Sequence, residues 1–170
     1  MKESMFSKKR ILLLGSGELG KELVIEAKRL GLEVIAIDRY EKAPAMQVAD
    51  YSRVIDMRDK NILKNVIKEF KPDYVVPEIE ALSIEALKEL EDEGFNIVPN
   101  ARTVEITMNR DKIRDLASRD LKIKTAKFDY IFEFDDLEKK ADEIGFPLLL
   151  KPLMSSSAVS YTHLTLPTKA

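Results

Sequence analysis

A glycine-rich turn that carries a carboxylate is the first part of the sequence whose residue types and spacing could do chemistry. Gly15-Ser16-Gly17-Glu18-Leu19-Gly20 follows a short apolar run and opens a stretch with helical spacing. Its glycines permit a tight turn and let an anionic ligand approach the backbone amides at the N-terminus of a helix. Asp38 lies 18 residues after Gly20, close to the position where NAD enzymes keep a ribose-binding acid.

Glu18 argues against a dinucleotide at this turn. Its carboxylate stands where a pyrophosphate would have to lie, and like charges repel each other. A carboxylate suits instead a small ligand with a cationic or hydrogen-bond-donating end, such as an amine. From the residues alone two alternatives stay open: an NAD site formed by the turn with Asp38, and glycines that serve only the packing of a helix on a strand.

A second group of candidate residues ends the fourth predicted strand. Val76-Pro77-Glu78-Ile79-Glu80-Ala81 lies at the carboxyl edge of the expected sheet, where ligands of open α/β sheets bind. We expect Glu78 to face Glu18 across that crevice. The alternative is that Glu78 and Glu80 are ordinary carboxylates at a helix N-terminus, where the helix dipole favours negative charge.

Two cations beside apolar segments, Arg110 and Lys151, are candidates for binding phosphate. Lys151 ends the apolar run from Pro147 to Leu150, so its ammonium group has to reach solvent or pair with an anion such as a nucleotide phosphate. Arg110 by itself is typical of a surface residue. Met154-Ser155-Ser156-Ser157 fits equally the start of a phosphate-binding loop and a plain linker.

Composition excludes several classes of site. The 170 residues include no Cys and one His, His163, which excludes disulfides, thiolate ligands and any site with two imidazoles. The 28 Lys and Arg residues nearly balance 30 Asp and Glu, so the net charge of −2 disfavours a general nucleic-acid binder. No apolar run is long enough for a membrane span or a signal peptide. We therefore expect a cytoplasmic protein that binds neither nucleic acid nor membrane.

The elements that position these residues are predicted to alternate between strands and helices, the pattern of a parallel sheet. Strands are predicted at Ile11 to Leu14, Glu33 to Ile37, Arg53 to Ile55, Tyr74 to Val76 and Asn96 to Val98. Helical spacing predicts a first helix whose stripe of Leu19, Leu23, Ala27 and Leu30 packs on the sheet. Further helices are predicted around Ile62 to Phe70 and Ile84 to Leu90, with Asp59 as an N-cap, Gly31 and Gly94 at C-caps, and Pro72 as a stop.

The character of the sequence changes from about Asn109. A charged helical stretch over 110–121, a strand-like segment over 127–132, a helix over 135–144 and an apolar run over 147–150 follow one another. We predict a first domain over 1–120 and the start of a second over 121–157. Residues 158–170 are Thr-rich and nearly uncharged, so we interpret them as a foreign tail, which leaves His163 without a function.

Taken in order, these residues resemble the ATP-grasp superfamily, and within it the formate-dependent phosphoribosylglycinamide formyltransferases of purine synthesis. The resemblance covers about Arg10 to Ser157. It is carried by Leu13 to Glu22, Asp38-Arg39-Tyr40, Ala43-Pro44-Ala45-Met46, Val76 to Ala81, Thr107-Met108-Asn109-Arg110 and Lys151 to Ser157. It implies an α/β fold in which a Rossmann-like parallel sheet, the pre-ATP-grasp domain, is followed by the beginning of an ATP-grasp domain.

The resemblance also implies roles for particular residues. Glu18, Leu19 and Glu78 would bind glycinamide ribonucleotide, whose glycyl amine explains the carboxylates. The positions that would contact ATP are Arg110, Lys151, Ser156 and Ser157. In such enzymes Mg-ATP phosphorylates formate to formyl phosphate, and the substrate amine then attacks the formyl carbon. The expected partners are therefore glycinamide ribonucleotide, formate, ATP with Mg²⁺, and a second copy in a homodimer.

The sequence departs from the family after Ser157. There the family continues into a glycine-rich loop with a Lys that closes over the ATP phosphates, whereas this chain has Ala158-Val159-Ser160-Tyr161. We therefore expect an incomplete and inactive fragment, with the Mg²⁺ ligands and the contacts to the ribonucleotide phosphate outside it. The alternatives are a carboxyaminoimidazole ribonucleotide synthase, whose first loop usually has Gln in place of Glu18, an NAD(P)-dependent oxidoreductase, and a noncatalytic binding module.

Overall fold

The computed structural model describes residues 8–153 and 162–164. The described residues up to Glu105 form one compact unit, and those from Ile106 onward form a second. The domain boundary near residue 120 stays a prediction. None of the helices in the described ranges is long and apolar enough to cross a lipid bilayer.

Within the described part of the chain, a four-stranded parallel sheet forms the centre of the first unit, which confirms the predicted fold class. Its strands are β1 (Arg10–Leu14), β2 (Glu33–Asp38), β3 (Tyr51–Val54) and β4 (Tyr74–Pro77), in the order β3-β2-β1-β4. The two central strands, β1 and β2, are buried on both faces. Strands buried in this way need side chains that are apolar in succession, which explains the unbroken runs Ile-Leu-Leu-Leu and Val-Ile-Ala-Ile.

Two of the predicted strands differ from the observed ones. β3 lies earlier in the chain than predicted, and all its residues are exposed at an edge of the sheet. The segment from Asn96 to Val98 forms only an isolated parallel bridge, between Val75 and Ile97. The Val98 amide still donates to the Val75 carbonyl at 2.8 Å. The next residue is Pro99, which has no N–H to extend the ladder, so the pairing ends there.

The helices of the first unit begin and end where the capping residues predict. They are α1 (Glu18–Arg29), α2 (Lys60–Phe70) and α3 (Ile84–Asp92). The Asp59 carboxylate accepts a hydrogen bond from the Ile62 amide at 2.9 Å, which confirms it as the N-cap of α2. Gly31 and Gly94 follow α1 and α3 with φ of 79° and 93°, the left-handed backbone of a helix C-terminus. α2 ends two residues before Pro72.

The buried face of α1 is not the one that the leucine spacing predicts. Leu19 and Leu30 are 73% and 77% exposed, and Leu23 is exposed at 36%. Of the predicted stripe only Ala27 is buried. The residues of α1 that pack on the sheet are Gly20, Val24 and Ala27.

Close packing at Gly20 explains this rotation of the helix. A Cβ on Gly20 would lie 3.1 Å from Cδ2 of Leu13 and 3.2 Å from the carbonyl oxygen of Gly15. Contacts this short require the glycine to face β1, so the residues on either side of it turn away. Leu19 and Leu23 are thereby left at the surface of the unit.

Gly15 makes a second close approach, between the β1–α1 turn and the end of β4. Its φ is 108°, which side chains of L-residues rarely adopt. A Cβ on Gly15 would lie 2.6 Å from Oε2 of Glu78 and 2.6 Å from Cγ2 of Ile79. The turn therefore needs glycine here for both its backbone conformation and the space.

Lysines of α2 and glutamates at α3 form an ion-pair ladder between the two helices. Its members are Lys60, Lys64, Lys68, Glu85, Glu89 and Glu93. Lys60 contacts Glu85 and Glu89 at 2.9 and 3.0 Å, and Lys68 contacts Glu93 at 2.6 Å. Hydrogen bonds from these lysines lower the pKa of Glu89 and of Glu93. The lysines and the glutamates each recur every four residues, about one helical turn, so the ion pairs fix how α2 and α3 lie along each other.

The second unit is built from short elements. They are the end of α4 (Ala101–Met108), α5 (Arg110–Asp115) with a π-helical turn (Leu116–Asp120), α6 (Leu137–Ile144), β5 (Leu148–Leu150) and β6 (Thr162–Leu164). The strand predicted over 127–132 is not formed. The Tyr130 hydroxyl donates to the Asp115 carboxylate at 3.0 Å instead, and burial together with this bond raises the pKa of Tyr130 to about 12. Side-chain contacts rather than strand pairing hold this segment.

Part of the segment interpreted as a foreign tail pairs with the second unit. β6 is antiparallel to β5, with His163 opposite Leu149 in the register. Residues 158–161 and 165–170 lie outside the described ranges, and so do Ser156 and Ser157. The origin of the tail stays a prediction.

Replacing Gly15 tests the close approach at the β1–α1 turn. Gly15→Ala adds about 1–2 kcal/mol for the left-handed backbone and about 1–3 kcal/mol for the clash with Glu78 and Ile79, so we expect a loss of at least about 2 kcal/mol in the free energy of unfolding. Denaturation by urea measures it. The matched control is Gly17→Ala, where a Cβ meets nothing within 4 Å and the change should stay within about 1 kcal/mol. Equal losses in both variants would contradict the packing described here.

Removing the central lysine tests the ion-pair ladder. Because the pKa values of Glu89 and Glu93 are lowered in the folded chain, their contribution to stability is present above the ordinary value of 4.5 and is lost as the pH falls through the folded pKa values. Lys64→Met should lower the melting temperature at neutral pH and low salt, and this loss should shrink as the pH falls below 4.5. The control is Lys21→Met, a lysine on α1 that forms no ion pair in the described ranges. A loss that is independent of pH and salt would mean that Lys64 acts by packing alone.

Candidate functional site

The carboxyl ends of β1, β2 and β4 bring the predicted glycine turn together with two acidic residues, Asp38 and Glu78. The Gly15 amide donates to the Ile37 carbonyl at 3.0 Å, which ties the turn to the end of β2. The Glu78 amide donates to the Leu14 carbonyl at 2.8 Å, which ties the end of β4 to β1. The candidate site is therefore held by backbone hydrogen bonds at one edge of the sheet.

Asp38 anchors the glycine turn. Its Oδ2 accepts a hydrogen bond from the Ser16 amide at 2.7 Å, and its Oδ1 accepts one from the Arg39 amide at 2.7 Å. The residue is only 5% exposed. Both carboxylate oxygens are thus bound to the backbone in a buried place. A ribose-reading acid has to present its oxygens to a ligand, so the structure argues against the NAD alternative.

Glu78 places its carboxylate against the backbone of Gly15, in the space that any other side chain at residue 15 would fill. Its Oε2 is buried and has no hydrogen-bond partner among the residues that the structure describes. Burial, and to a smaller extent the charges of Asp38 and Glu80, raise the pKa of Glu78. A buried polar atom without a partner costs free energy, and a carboxylate that is perturbed in this way at a sheet edge is a candidate for ligand binding.

The helix-dipole interpretation of Glu78 and Glu80 is wrong. α3 begins at Ile84, after the N-cap Ser83, whose hydroxyl accepts a hydrogen bond from the Ala86 amide at 3.3 Å. Glu78 and Glu80 therefore precede the first turn of the helix, and the dipole acts only within that turn. The helix dipole therefore does not explain why two carboxylates, those of Glu78 and Glu80, follow β4 at this edge of the sheet.

A pocket of about 440 Å³ adjoins Glu78 on the α1 side. Its lining residues are Leu19, Glu22, Leu23, Glu26, Val76, Pro77 and Glu78. Leu19 and Glu78, two of the residues predicted to bind substrate, thus meet in one pocket with apolar side chains and carboxylates. Sequence analysis did not predict this pocket, because it expected Leu19 and Leu23 to pack on the sheet and not to line a pocket at the surface.

Glu18, the third predicted substrate residue, is the first residue of α1 and is exposed to solvent. It directly precedes Leu19 of the pocket. That Glu18 faces Glu78 stays a prediction.

The predicted ATP-binding cations lie in the second unit. The Arg110 guanidinium donates from Nη1 to the Pro152 carbonyl at 2.8 Å, and the Arg110 amide donates to the Leu153 carbonyl at 3.0 Å. Arg110 is therefore hydrogen-bonded to the segment that follows Lys151. Lys151 itself directly follows β5 and is exposed to solvent. No group of three or more His, Asp or Glu side chains within 8–153 and 162–164 is arranged to hold a metal ion.

Comparison with known proteins gives a family match and close relatives. Residues 8–108 match the family described as the Ribonucleotide synthetase preATP-grasp domain. The formate-dependent phosphoribosylglycinamide formyltransferase of Prochlorococcus marinus (strain AS9601) is 97% identical over 157 residues, which are 92% of this chain and 40% of that protein. The chain thus spans about two fifths of the length of this curated relative.

Solved structures show the same fold. The glycinamide-RNase-transformylase T of Mycobacterium tuberculosis is 39% identical, with a TM-score of 0.77 over 89% of this chain and 46% of that one. A carboxyaminoimidazole ribonucleotide synthase from Aspergillus clavatus, complexed with ATP, is 24% identical, with a TM-score of 0.83 over 93% of this chain and 41% of that one.

The family match covers the glycine turn, Asp38, Glu78 and the whole parallel sheet. These are the features that build the candidate site, and the match extends over more than half of the 170 residues. The chain therefore belongs to the ribonucleotide synthetase preATP-grasp domain family.

Proposed function

We propose that the first unit binds glycinamide ribonucleotide, and that the chain belongs to an enzyme that formylates this substrate with ATP and formate. The observation that carries the proposal is the half-buried Glu78 carboxylate, whose Oε2 is buried beside the glycine turn without a partner among the described residues. An amine in the adjoining pocket would donate a hydrogen bond to this carboxylate and compensate its charge. The 97% identity to a formate-dependent phosphoribosylglycinamide formyltransferase supports this choice of amine.

The three proposed substrate residues have different tasks. Glu78 and Glu18 attract and orient the glycyl amine, since hydrogen bonds between ionised groups are about twice as strong as neutral ones. Leu19 forms part of the apolar wall of the pocket beside Glu78. In the proposed reaction ATP phosphorylates formate, and the amine displaces phosphate from the resulting formyl phosphate. The chain's contribution to this step is to hold the amine in position for attack.

Arg110, Lys151, Ser156 and Ser157 are proposed to contact ATP. The fork of a guanidinium matches the geometry of phosphate oxygens, and an ammonium group on an apolar strand end supplies a point charge. The similar synthase complexed with ATP and the name of the matched family support the use of ATP. Mg²⁺ is proposed to accompany ATP. The described residues alone do not form a site for it, so no step is assigned to a metal ion.

The alternative functions have weaker support. The carboxyaminoimidazole ribonucleotide synthase has the same fold at only 24% identity, and its family usually carries Gln in place of Glu18. An NAD-dependent reaction would need Asp38 to release the Ser16 and Arg39 amides. The domain division at residue 120, the homodimer and the cytoplasmic location are further proposals that depend on the resemblance and the composition.

Ligand choice tests the proposal directly. Glycinamide ribonucleotide should stabilise the folded chain, and NAD should not. A ligand at 100 times its dissociation constant adds about 2.7 kcal/mol, which corresponds to a rise of about 5–11 °C in the melting temperature of a chain of this size. Differential scanning fluorimetry with both ligands measures the shift. A rise with NAD and none with the ribonucleotide would contradict the proposed substrate.

Removing the charge of Glu78 should have opposite effects on binding and stability. Glu78→Gln should weaken ribonucleotide binding by about 1.5–3 kcal/mol, the value of a hydrogen bond to a charged group. Because the pKa of Glu78 is raised in the folded chain, its charge opposes folding at neutral pH, and this penalty disappears as the pH falls towards the ordinary value of 4.5. The variant should therefore unfold at higher urea concentration than the natural chain at pH 7, and the difference should shrink at pH 4.5.

The matched control is Glu80→Gln, two residues along the same segment and outside the proposed site. It should leave the affinity, measured by calorimetry, within about twofold. If Glu78→Gln lowers stability at neutral pH and leaves the affinity unchanged, the carboxylate has a structural role and no place in substrate binding.

A further inference from the structure

The environment of Glu78 suits a group that accepts a proton as well as one that binds an amine. Its Oε2 is buried against Gly15, and none of the described residues donates a hydrogen bond to it. A carboxylate with one oxygen in this state is poorly stabilised as an anion, which favours its acceptance of a proton. We propose that Glu78 is the general base that removes a proton from the substrate amine before it attacks the formyl carbon. This inference rests on the function proposed above.

The chemistry of the substrate creates the need for such a base. An α-amino group has an ordinary pKa of about 7.7–8.0, so at neutral pH most of it is ammonium. The carboxylates at the site attract the ammonium form. That form has no lone pair and cannot attack an acyl phosphate until it has lost a proton. A residue that binds the ammonium ion has to take its proton as well, or the bound substrate stays unreactive.

The other acidic residues at this edge are less suited to the task. Asp38 has both carboxylate oxygens bound to backbone amides and is buried. Glu18 is exposed to solvent at the start of α1 and does not line the pocket. Glu78 alone combines a position at the pocket with a buried oxygen that no described donor satisfies.

The charges that are shown to act on Glu78 are those of Asp38 at the end of β2 and Glu80 after β4, and both are negative. Glu22 and Glu26 of α1 line the pocket with Glu78, whereas the cations Lys21 on α1 and Arg39 after Asp38 do not line it. Among the described residues, no Lys, Arg or His lines this pocket. Burial and neighbouring carboxylates favour the protonated form of Glu78 and raise its pKa. A base is most effective when its pKa lies near the working pH, so these surroundings increase its usefulness.

The proposed step balances as follows. The Glu78 carboxylate takes one proton from the ammonium group and becomes a neutral carboxylic acid. The freed lone pair of the nitrogen forms a bond to the formyl carbon of formyl phosphate, and the bond from that carbon to the phosphate oxygen breaks. The second amine proton leaves with the phosphate, which gives the formamide and hydrogen phosphate. Glu78 then returns its proton to water.

Acylation of the bound amine tests the inference without the ATP-dependent step. Calorimetry first measures the occupancy of the chain by glycinamide ribonucleotide. Acetyl phosphate, a stable acyl phosphate, is then added at pH 6, and mass spectrometry follows the N-acetylated product. With Glu78 as base, the bound amine should react about tenfold faster or more than the free amine, which at this pH is almost entirely ammonium. The rate should rise with pH until Glu78 is ionised and then level off.

Two variants separate a base from a binding group. Glu78→Gln, compared with the natural chain at equal occupancy, should lose the acceleration. Glu80→Gln should keep it, but its acylation rate should rise at lower pH, because the loss of one neighbouring negative charge lowers the pKa of Glu78. If the bound amine reacts no faster than the free amine, or if Glu78→Gln is as fast as the natural chain, Glu78 only binds the ammonium ion and the inference is wrong. If calorimetry detects no binding at any pH, the proposed function fails instead.

Discussion

The Glu78 carboxylate can lie against the β1–α1 turn only because residue 15 has no side chain. The rest of the first unit is arranged around this contact. Asp38 holds the Ser16 amide from the other side, and Gly20 brings α1 directly onto β1. The same close packing rotates Leu19 and Leu23 outward, where they line the pocket beside Glu78. A structural requirement for glycine thereby creates an apolar surface next to a half-buried acid.

The carboxylates of the ion-pair ladder and the carboxylate of Glu78 have opposite surroundings and opposite pKa shifts. Every carboxylate of the ladder between α2 and α3 faces a lysine, and the pKa values of Glu89 and Glu93 are lowered. At the carboxyl edge of the sheet, burial and the charges of Asp38 and Glu80 raise the pKa of Glu78. The first arrangement stabilises the fold, and the second opposes it. An arrangement that opposes folding is understandable where a ligand supplies the missing partner.

Sequence analysis predicted the features that depend on local patterns. The apolar runs of β1 and β2, the N-cap at Asp59 and the left-handed glycines after α1 and α3 are set by neighbouring residues. The face of α1 was wrong because its rotation depends on the contact of Gly20 with β1, which spacing along the helix does not reveal. Pro99, which ends the pairing at the last predicted strand, is a signal in the sequence that the strand prediction did not use. The anchoring role of Asp38 was missed because its spacing from the turn is also that of an NAD enzyme.

We propose that the Glu78 carboxylate, whose Oε2 has no partner among the described residues, meets the amine of glycinamide ribonucleotide. A crystal structure of the chain with this ligand tests the claim most directly. We predict that the glycyl nitrogen lies about 2.7–2.9 Å from a carboxylate oxygen of Glu78, the range of a charged N–H···O hydrogen bond. A structure in which the ribonucleotide phosphate occupies the glycine turn, or in which the glycyl nitrogen lies away from Glu78, would contradict it.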